Sequence, residues 1–369
     1  MRQPADVFVI GGGPAGLVAA IAARQKGFSV VLADGAEPPI DKPCGEGLIP
    51  ETWLALRNLG ITLNPEIGYR FRGIRFVQHG AQVSGDFPDG EGVGIRRPLL
   101  HELLVARAEQ WGVQMLWKTP VSGIVEGGVQ TGREVTKARW ILGADGSGSR
   151  VRRWSDLDAT RKRKQRYATR RHYRVRPWSE YMEIYWGART QAYVTPIAKE
   201  EVCIVMMAES ARDAEFDPAI ESVPELKEKL RHATMVSRER GAVTAMHVLR
   251  RVTRGNVALV GDASGGVDAI TAGGLRLAFQ QSLTLAAAMK TGDLSEYERA
   301  HRRLVRRPLQ MGSLLLFLGR NAAVRRRSLN VLSARPELFE SLLAMHAGRA
   351  TSGQIVSTGM QLGWQLLAT

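Results

Sequence analysis

The sequence contains little cysteine, because Cys44 and Cys203 are the only two among 369 residues. Disulfide-stabilised secreted domains need more cysteines and an oxidising compartment, so this class is excluded. Long apolar runs are missing too: the most apolar stretch near the C-terminus, residues 313–319, is far shorter than the ~20 residues that span a bilayer. The apolar start of the chain is interrupted by Asp6 and a glycine cluster, unlike a secretory signal. These absences predict a cytoplasmic protein.

Acidic residues are scarce relative to basic ones, with 36 Asp+Glu against 51 Lys+Arg and a net charge of +15. Arginine carries the excess in residues 160–177, 301–308 and 324–329. RNA-binding proteins interleave stacking aromatics with basic residues on one face, and only residues 160–177 do so, which disfavours nucleic acid. The helical C-terminal segment has apolar faces with arginines between them. A peripheral contact with the inner membrane surface therefore stays open beside ordinary solvated arginines.

The order of strand and helix patterns predicts a split nucleotide-binding fold. Residues 6–10 and 29–34 read as buried strands on either side of a helix at residues 14–26. Residues 166–207 change to β-branched and aromatic runs separated by turn residues, which is typical of an antiparallel sheet. The strand at residues 256–262 then returns to the first pattern. The predicted parts are a discontinuous nucleotide-binding domain (1–65, 95–160 and 250–292), a β-rich substrate domain (66–94 and 161–249) and a C-terminal helical segment (293–369).

The segment "VIGGGPAG" fits the pattern G-x-G-x-x-G between the first strand and the first helix. Gly11 permits the tight turn, and Gly13 lets the backbone approach a pyrophosphate at the helix N-terminus. Gly16 lets the helix pack closely on the strand. Asp34, at the end of the second strand, can accept hydrogen bonds from adenosine ribose hydroxyls and disfavours a 2′-phosphate. The motif therefore predicts FAD or NAD rather than NADP, and no metal site is predicted.

Two later segments carry a resemblance to a known family. "GADGSGSRVRR" (143–153) and "LVGDASGG" (259–266) resemble the second and third fingerprints of FAD-dependent hydroxylases, and "GIRRPLLHELL" resembles the segment whose arginine reaches the FAD phosphates. Over residues 5–290 the chain is similar to the superfamily of p-hydroxybenzoate hydroxylase-like monooxygenases and geranylgeranyl reductases. This resemblance implies an α/β fold with an α+β insertion. It consists of a Rossmann-like FAD-binding domain, an inserted antiparallel β-sheet substrate domain and a C-terminal helical segment.

The glycine loops look closer to those of the geranylgeranyl reductases. "ITAGGLRLA" resembles their Thr-Gly-Gly-Gly-Ile stretch, and "KPCGEGL" resembles the loop whose Cys-Gly pair lies near the flavin ring. The chain departs from that family at "AYVTPIAKEE", which does not match its aromatic Phe-Pro lipid-site motif, and the Trp-x-Trp-x-Ile-Pro of flavin halogenases is absent. The cofactor-binding residues that the motifs and the resemblance imply are Gly11, Gly13, Pro14, Ala15, Gly16, Asp34, Cys44, Gly45, Arg97, Asp145, Gly146, Gly261, Asp262, Gly273, Gly274 and Leu275.

The resemblance implies an FAD-dependent oxidoreductase, and two reaction types stay open. We favour a monooxygenase that hydroxylates a hydrophobic aromatic or polyketide-like small molecule of secondary metabolism. The alternative is a flavin-dependent reductase of carbon–carbon double bonds. Cys44 is the candidate acid of the reductase, and His172 is the candidate base of the hydroxylase.

The electron donor and the substrate pocket are less well specified by the sequence. The resemblance implies either NAD(P)H, bound transiently beside the flavin, or a separate electron-donor partner. Arg152, Arg153 and the arginines of residues 161–176 could attract a nicotinamide phosphate. Aromatic residues of the inserted sheet are consistent with a pocket wall and equally with ordinary core; they are Tyr173, Tyr185, Trp186 and Tyr193.

Overall fold

The protein is described by a computed structural model over residues 3–63, 66–158 and 165–368. The strands in these ranges are β1 (Ala5–Ile10), β2 (Val30–Ala33), β3 (Gly47–Leu48), β4 (Tyr69–Phe71), β5 (Gly73–Gln78), β6 (Ala81–Asp86), β7 (Gly92–Gly94), β8 (Gln114–Leu116), β9 (Val121–Val125), β10 (Gly128–Thr131), β11 (Glu134–Gly143), β12 (Gln165–Arg174), β13 (Tyr181–Trp186), β14 (Thr190–Ala198), β15 (Glu201–Ala208), β16 (Thr234–Met235), β17 (Arg240–Ala245), β18 (His247–Val248), β19 (Thr253–Arg254), β20 (Val257–Leu259) and β21 (Gly265–Gly266).

Helices are interspersed with strands up to residue 291 and form the C-terminal part of the chain from residue 294 onward. They are α1 (Pro14–Gln25), α2 (Pro50–Asn58), α3 (Arg97–Gln110), α4 (Arg150–Trp154), α5 (Phe216–Glu221), α6 (Pro224–Lys229), α7 (Gly274–Thr291), α8 (Leu294–Arg320), α9 (Ala322–Ala334), α10 (Pro336–Ala347) and α11 (Ser352–Ala368). Short 3₁₀ turns occupy Arg212–Ala214, Gly261–Ser264 and Ala269–Thr271. In the described part of the chain, no helix is both long enough and apolar enough to cross a bilayer.

The first sheet has the predicted Rossmann-like arrangement, with strand order β19-β20-β11-β1-β2-β8. β1 pairs in parallel with β2 and β11, and β11 pairs in parallel with β20. The carboxyl ends of these strands therefore lie at one edge of the sheet, where α/β folds bind their ligands. Residues such as Phe8, Leu17 and Phe279 are fully buried between this sheet and the helices α1 and α7.

The second sheet has the order β16-β12-β15-β14-β13-β5-β6, with β17 also paired to β12. It is antiparallel except for the pair β5–β13, which is parallel and departs from the predicted all-antiparallel sheet. The reason is connectivity: β5 precedes α3 in the chain, so no hairpin joins it to β13. One sheet face packs against α9 and α10, and the other packs against α5 and α6. The predicted domain boundaries at residues 65 and 160 lie outside the described residues.

Candidate functional site

The glycine-rich turn after β1 uses its three glycines for different reasons. Gly11 has φ +114°, and a Cβ there would lie 2.4 Å from the carbonyl oxygen of Ala144. A Cβ on Gly16 would lie 1.9 Å from the carbonyl oxygen of Gly11, so this position also needs glycine for packing. A Cβ on Gly13, by contrast, would meet nothing within 4 Å. The space beside Gly13, at the N-terminus of α1, is where an anionic ligand can approach the backbone.

Asp34 is fixed beside this turn. Its Oδ2 accepts a hydrogen bond from the backbone N–H of Gly12 at 2.6 Å, and its Oδ1 accepts one from Ala36 at 2.7 Å. The carboxylate therefore lies next to the glycine loop, at the end of β2, as the sequence pattern requires for a ribose-binding acid.

The second and third fingerprints lie against the first. The backbone N–H of Ala144 donates to Ile10 at 2.8 Å, because β11 continues in parallel beside β1. Gly261 has φ +60°, and a Cβ there would come within 2.7 Å of the Cβ of Ala15 at the start of α1. These three segments, each more than a hundred residues from the next in the chain, thus lie together at one edge of the first sheet.

Asp145 has a supporting position in this edge. Its carboxylate accepts hydrogen bonds from the hydroxyl of Ser149 at 2.6 Å and from the backbone N–H of Arg150 at 2.6 Å. It therefore fixes the turn before α4. Its neighbour Gly146 has φ +83° and open space at its Cβ position, so the backbone there faces the cleft.

Arg97 and Asp262 face the same cleft from opposite elements. Nε of Arg97 is buried and has no hydrogen-bond partner among the described residues. The Asp262 side chain is exposed by its accessible surface, although many protein atoms surround it. Burial raises the pKa of Asp262, and the positive charges of Arg97, His247 and Lys42 oppose this rise.

A buried guanidinium nitrogen without a partner, together with the space at Gly13, fits an FAD bound along this edge. Gly13 and Arg97 would hold the pyrophosphate, and Asp34 would hold the adenosine ribose. By the stated resemblance, Asp262 would hold the ribityl chain. Gly273, Gly274 and Leu275 begin α7 at the far end of the cleft.

Cys44 lies in the loop that joins this cleft to the second sheet. The backbone N–H of Glu46 donates to Sγ of Cys44 at 3.4 Å, and Sγ of Cys203 donates to the carbonyl oxygen of Cys44 at 3.6 Å. Both cysteines are free thiols, and Cys44 is only half-buried. Burial raises the pKa of Cys203 well above its ordinary value. Gly45, the next residue in the loop, has open space at its Cβ position.

Glu46 is the centre of this loop and was not predicted from the sequence. Its carboxylate is buried and contacts Nη1 of Arg170 at 3.2 Å and Nε2 of His172 at 2.8 Å. The same carboxylate accepts a hydrogen bond from the backbone N–H of Arg97 at 2.9 Å. Glu46 has φ +60°, an uncommon conformation for a non-glycine residue. One carboxylate thus connects the Cys44 loop, the phosphate-side helix α3 and strand β12.

Arg170 and Asp41 complete the connection. Both guanidinium Nη atoms of Arg170 donate to the carboxylate of Asp41 at 2.9 Å, and Arg240 also contacts Asp41 at 2.9 Å. Burial acts to raise the pKa of Asp41, but the hydrogen bonds and charge of Arg170 and the charge of Arg240 lower it overall. Bidentate pairs of this kind fix the orientation of both partners.

The geometry does not support the base role predicted for His172. Its side chain is completely buried, with Nε2 at Glu46 and Nδ1 2.8 Å from the hydroxyl of Ser237. Both ring nitrogens are therefore engaged, and neither is free to take a proton from a substrate. His172 positions the loop rather than contacting a ligand.

Glu46, His172 and Cys203 also have ligand-type atoms within 4.8 Å of one another. A zinc site requires a deprotonated cysteine, whereas the Cys203 thiol donates to the carbonyl oxygen of Cys44. The Arg170 guanidinium already occupies the carboxylate of Glu46. These contacts favour a network between protein groups over a metal site.

Several arginines of the predicted basic clusters point inward. Arg152 is buried and donates to Asp158, to the carbonyl oxygens of Ser147 and Ala263, and contacts His247, so it is not free for a nicotinamide phosphate. Arg166 is buried as well, and pairs with Asp268 at 2.9 Å and Gln191 at 2.6 Å. Arg153 is exposed, and residues 161–164 of the cluster lie outside the described residues.

An apolar cavity lies between the second sheet and the C-terminal helices. Its cavity volume is about 80 Å³, within a larger apolar cleft that is partly open to solvent. Its wall passes from the sheet through residues 270–272, directly before the first turn of α7. The lining residues are Ile74, Phe76, Ile184, Trp186, Ile270, Thr271, Ala272, Met311, Leu314, Leu315, Leu318, Arg325, Ser328, Leu329, Leu332, Phe339, Leu342, Leu343 and His346.

The four predicted aromatics of the sheet divide between its two faces. Trp186 lines the cavity and stacks on Phe76 with ring centroids 4.8 Å apart. Tyr193 shares this face, and its hydroxyl is buried with no partner in the described part of the chain. Tyr185 lies on the opposite face, where its hydroxyl donates to Glu183 at 2.6 Å, and Tyr173 packs there too.

The polar side chains of the cavity carry little free charge. Burial lowers the pKa of His346 to about 4, so its imidazole is neutral at pH 7. Arg325 donates to Gln78 and to the carbonyl oxygens of Leu318 and Gly319. The cavity therefore suits an apolar ligand. Sequence reasoning missed it because most of its wall comes from the C-terminal helices, whose apolar residues also read as ordinary packing.

Comparison with known proteins gives relatives along most of the chain. A menaquinone reductase of Mycolicibacterium smegmatis is 26% identical over 326 residues, which is 81% of this chain and 80% of that protein. Digeranylgeranylglycerophospholipid reductase 1 of Methanothermobacter thermautotrophicus is 28% identical over 332 residues, covering 81% of this chain and 82% of that protein. The match to a menaquinone reductase of Mycobacterium tuberculosis, at 38% identity, spans 116 residues and only 28% of that protein's length.

Solved structures show the same fold. A flavin-dependent brominase superposes with a TM-score of 0.80 over 94% of each chain, at 17% sequence identity. At that identity the similarity establishes the fold alone. The FAD binding domain family matches residues 4–292, which include all three fingerprints and both sheets. The chain therefore belongs to the FAD binding domain family and is an FAD-dependent oxidoreductase.

Proposed function

We propose that this protein is a flavin-dependent reductase that saturates a carbon–carbon double bond in a long hydrophobic substrate bearing an isoprenoid chain. The apolar cavity carries this proposal, because it extends from the start of α7 into the C-terminal helices. A flat hydroxylation substrate needs a compact pocket at the flavin, whereas a prenyl chain needs an extended apolar one. The relatives named for menaquinone and for digeranylgeranylglycerophospholipid reduction support the same choice.

The residues of the chain divide the work of such a reduction. When bound and reduced, FAD would supply the hydride. The cavity wall would exclude water and align the apolar chain. The loop of Cys44 contacts the second sheet through Cys203 on β15. The half-buried Cys44 thiol is our candidate proton donor to the other carbon of the double bond. Its loop is held in place by Glu46, Arg170 and Asp41.

The decisive experiment is a product analysis with the FAD-loaded protein. Dithionite-reduced enzyme is mixed without air with menaquinone carrying an unsaturated prenyl chain, and in parallel with digeranylgeranylglycerophospholipid. After the quinone ring has been reoxidised in air, the expected product retains two added hydrogens in its prenyl chain, located by tandem mass spectrometry. Repeating the reaction with NADH and with NADPH instead of dithionite identifies the electron donor. Failure of both substrates to gain hydrogens would overturn the reductase proposal.

Hydroxylation of a hydrophobic aromatic compound is the second candidate. The stacked Phe76 and Trp186 in the cavity wall favour it, because such a pair can hold a planar ring. The test is incubation with NAD(P)H under ¹⁸O₂ and a panel of hydrophobic phenols. Incorporation of labelled oxygen into product would support the hydroxylase over the reductase.

Replacing Cys44 tests whether its thiol takes part in the chemistry or only in packing. We expect Cys44→Ala to lower the rate of double-bond reduction at least ten-fold, because the proton donor is removed, while FAD content stays unchanged. Cys203→Ala is the matched control, since Cys203 is buried and its thiol contacts only the Cys44 carbonyl oxygen among the described hydrogen bonds. Equal rates for wild type and Cys44→Ala would remove Cys44 from the mechanism.

A further inference from the structure

The mouth of the apolar cavity lies at the C-terminal end of α8. Leu314 lines the cavity and is also 42% exposed, so the cavity reaches the surface at this residue. Two more large apolar side chains lie nearby in the chain without lining the cavity: Phe317 is 51% exposed and Val324 is 36% exposed. Exposed apolar residues grouped at a cavity entrance mark an interaction site rather than ordinary surface.

Basic residues lie close to this entrance in the chain. Arg326 and Arg327 are exposed on α9 and form no ion pair within the described part of the chain. Arg320, at the end of α8, is exposed and contacts Glu209. We call Leu314, Phe317, Arg320, Val324, Arg326 and Arg327 the cavity-mouth surface.

The outer face of α8 extends this surface. Residues 303, 307, 310, 314 and 317 recur at intervals of four and three, so their side chains share one side of the helix. Arg303 and Arg307 are exposed on that side, followed by the exposed Leu314 and Phe317. This side of α8 is therefore basic around Arg303 and Arg307 and apolar towards its C-terminal end.

We propose that the cavity-mouth surface docks on an anionic lipid bilayer and admits the lipid chain from the bilayer into the cavity. Phe317, Leu314 and Val324 would enter the acyl boundary, and the arginines would lie at the level of the anionic headgroups. The inference deepens the proposed function, on which it rests, because a membrane lipid is the substrate class concerned.

The positive charge of the cavity-mouth surface and the apolar path into the cavity favour a bilayer over other occupants. A second copy of this chain would bring the same arginines against one another, and like charges disfavour such an interface. A nucleic acid would contact the arginines but would leave the apolar residues at the entrance without partners. A bilayer matches both features, and its apolar interior is continuous with the apolar cavity.

The test is co-sedimentation of the FAD-loaded protein with vesicles, in the absence of substrate. Vesicles of phosphatidylcholine alone are compared with vesicles of equal parts phosphatidylcholine and phosphatidylglycerol, at low and at high salt. We expect binding to the anionic vesicles that weakens at high salt, and little binding to the neutral ones. Absence of binding to anionic vesicles would overturn the proposal.

Variants assign the binding to this surface. Arg326→Gln with Arg327→Gln should weaken binding to anionic vesicles about 30-fold, equivalent to about 2 kcal/mol. Phe317→Ser should also weaken it, because an inserted aromatic ring is lost. The matched control is Arg174→Gln with Arg176→Gln. These two exposed arginines lie at the C-terminal end of β12 and two residues after it, and neither belongs to the cavity-mouth surface. Equal weakening in the control would indicate net charge alone and would overturn the assignment.

Two further measurements keep the outcomes distinct. Light scattering of wild type and Phe317→Ser checks for a dimer; a change from dimer to monomer would overturn the bilayer as occupant in favour of a second copy. Reduction of a detergent-dispersed substrate is measured separately. Vesicle binding without any reduction would support docking and refute the proposed function. Reduction in detergent without vesicle binding would support the proposed function and refute docking.

Discussion

Nε2 of His172 lies 2.8 Å from Oε2 of Glu46, and this contact joins strand β12 of the second sheet to the loop that carries Cys44. Both side chains are buried. The same carboxylate accepts the backbone N–H of Arg97 at the start of α3. Glu46 therefore links the loop of Cys44 and the start of α3 to the second sheet.

Replacing Glu46 with alanine tests this dependence. The change leaves Arg170 and the backbone N–H of Arg97 with fewer acceptors in a buried site, so we expect the free energy of unfolding to fall by about 3 kcal/mol. FAD affinity should fall too, because the start of α3 loses its contact. Urea denaturation and flavin fluorescence titration measure the two effects. Glu228→Ala, in an exposed pair with Arg231, is the control and should change stability by less than about 1 kcal/mol. Similar losses in both variants would contradict the prediction.

The glycine turn offers a pair of substitutions with opposite expected effects. Gly13→Ala meets open space, so the protein should fold with nearly unchanged stability but lose FAD, because the added methyl group occupies the pyrophosphate position. Gly16→Ala places a methyl group 1.9 Å from the carbonyl oxygen of Gly11. It should destabilise the protein even without the cofactor. Thermal unfolding of the apo variants and FAD content after purification distinguish them, and a stable apo Gly16→Ala would show the packing argument to be wrong.

Acidic pH should destabilise the fold through His301. Burial lowers the pKa of His301 from 6.5 to about 4, with a smaller contribution from Arg302. Because the folded state binds the proton less readily than the unfolded state, the stabilisation is present above pH 6.5 and is lost as the pH falls towards 4.

The size of this effect can be measured. Between about pH 7.5 and about pH 5, His301 should account for a loss of roughly 2 kcal/mol in the free energy of unfolding. His301→Gln removes the titrating group and can still contact Ser264, which lies 3.0 Å from Nε2. Its unfolding free energy should depend less steeply on pH, as followed by urea denaturation at several pH values. Parallel pH profiles for the variant and wild type would contradict the assignment.

Filling the cavity should affect substrate use without affecting the cofactor. Leu318 lines the cavity on α8, so Leu318→Trp should raise KM for a long prenyl substrate ten-fold or more. Overpacking of this kind costs about 1–3 kcal/mol of stability. Leu316 is also half-buried on α8 but does not line the cavity, so Leu316→Trp is the control. Steady-state kinetics and FAD content separate the two variants; equal KM values would place the substrate elsewhere.

The cofactor edge could be predicted from sequence because each fingerprint specifies its own local turn. Gly11 and Gly261 both need positive φ, and both lie directly after a buried parallel strand. Parallel pairing of β1, β11 and β20 then brings these turns together without further information.

Other features depend on pairs that are distant in sequence and carry no local signal. Arg166 and Arg170 looked like a basic surface, yet both point inward because β12 places alternate residues on its buried face. Their partners, Asp268 and Asp41, come from other segments of the chain. The parallel pair β5–β13 was missed for the same reason, since the sequence of neither strand indicates which strand pairs with it.

The cavity wall has a consequence for how enzymes of this kind diverge. The family match ends at residue 292, whereas most cavity-lining residues, from Met311 to His346, lie beyond it. Under the proposed function, redox chemistry and substrate choice are therefore encoded in different stretches of one gene product. Selection could then change the C-terminal helices to fit a new substrate while the FAD-binding residues stay the same, so two chains with the same FAD-binding motifs need not share a substrate.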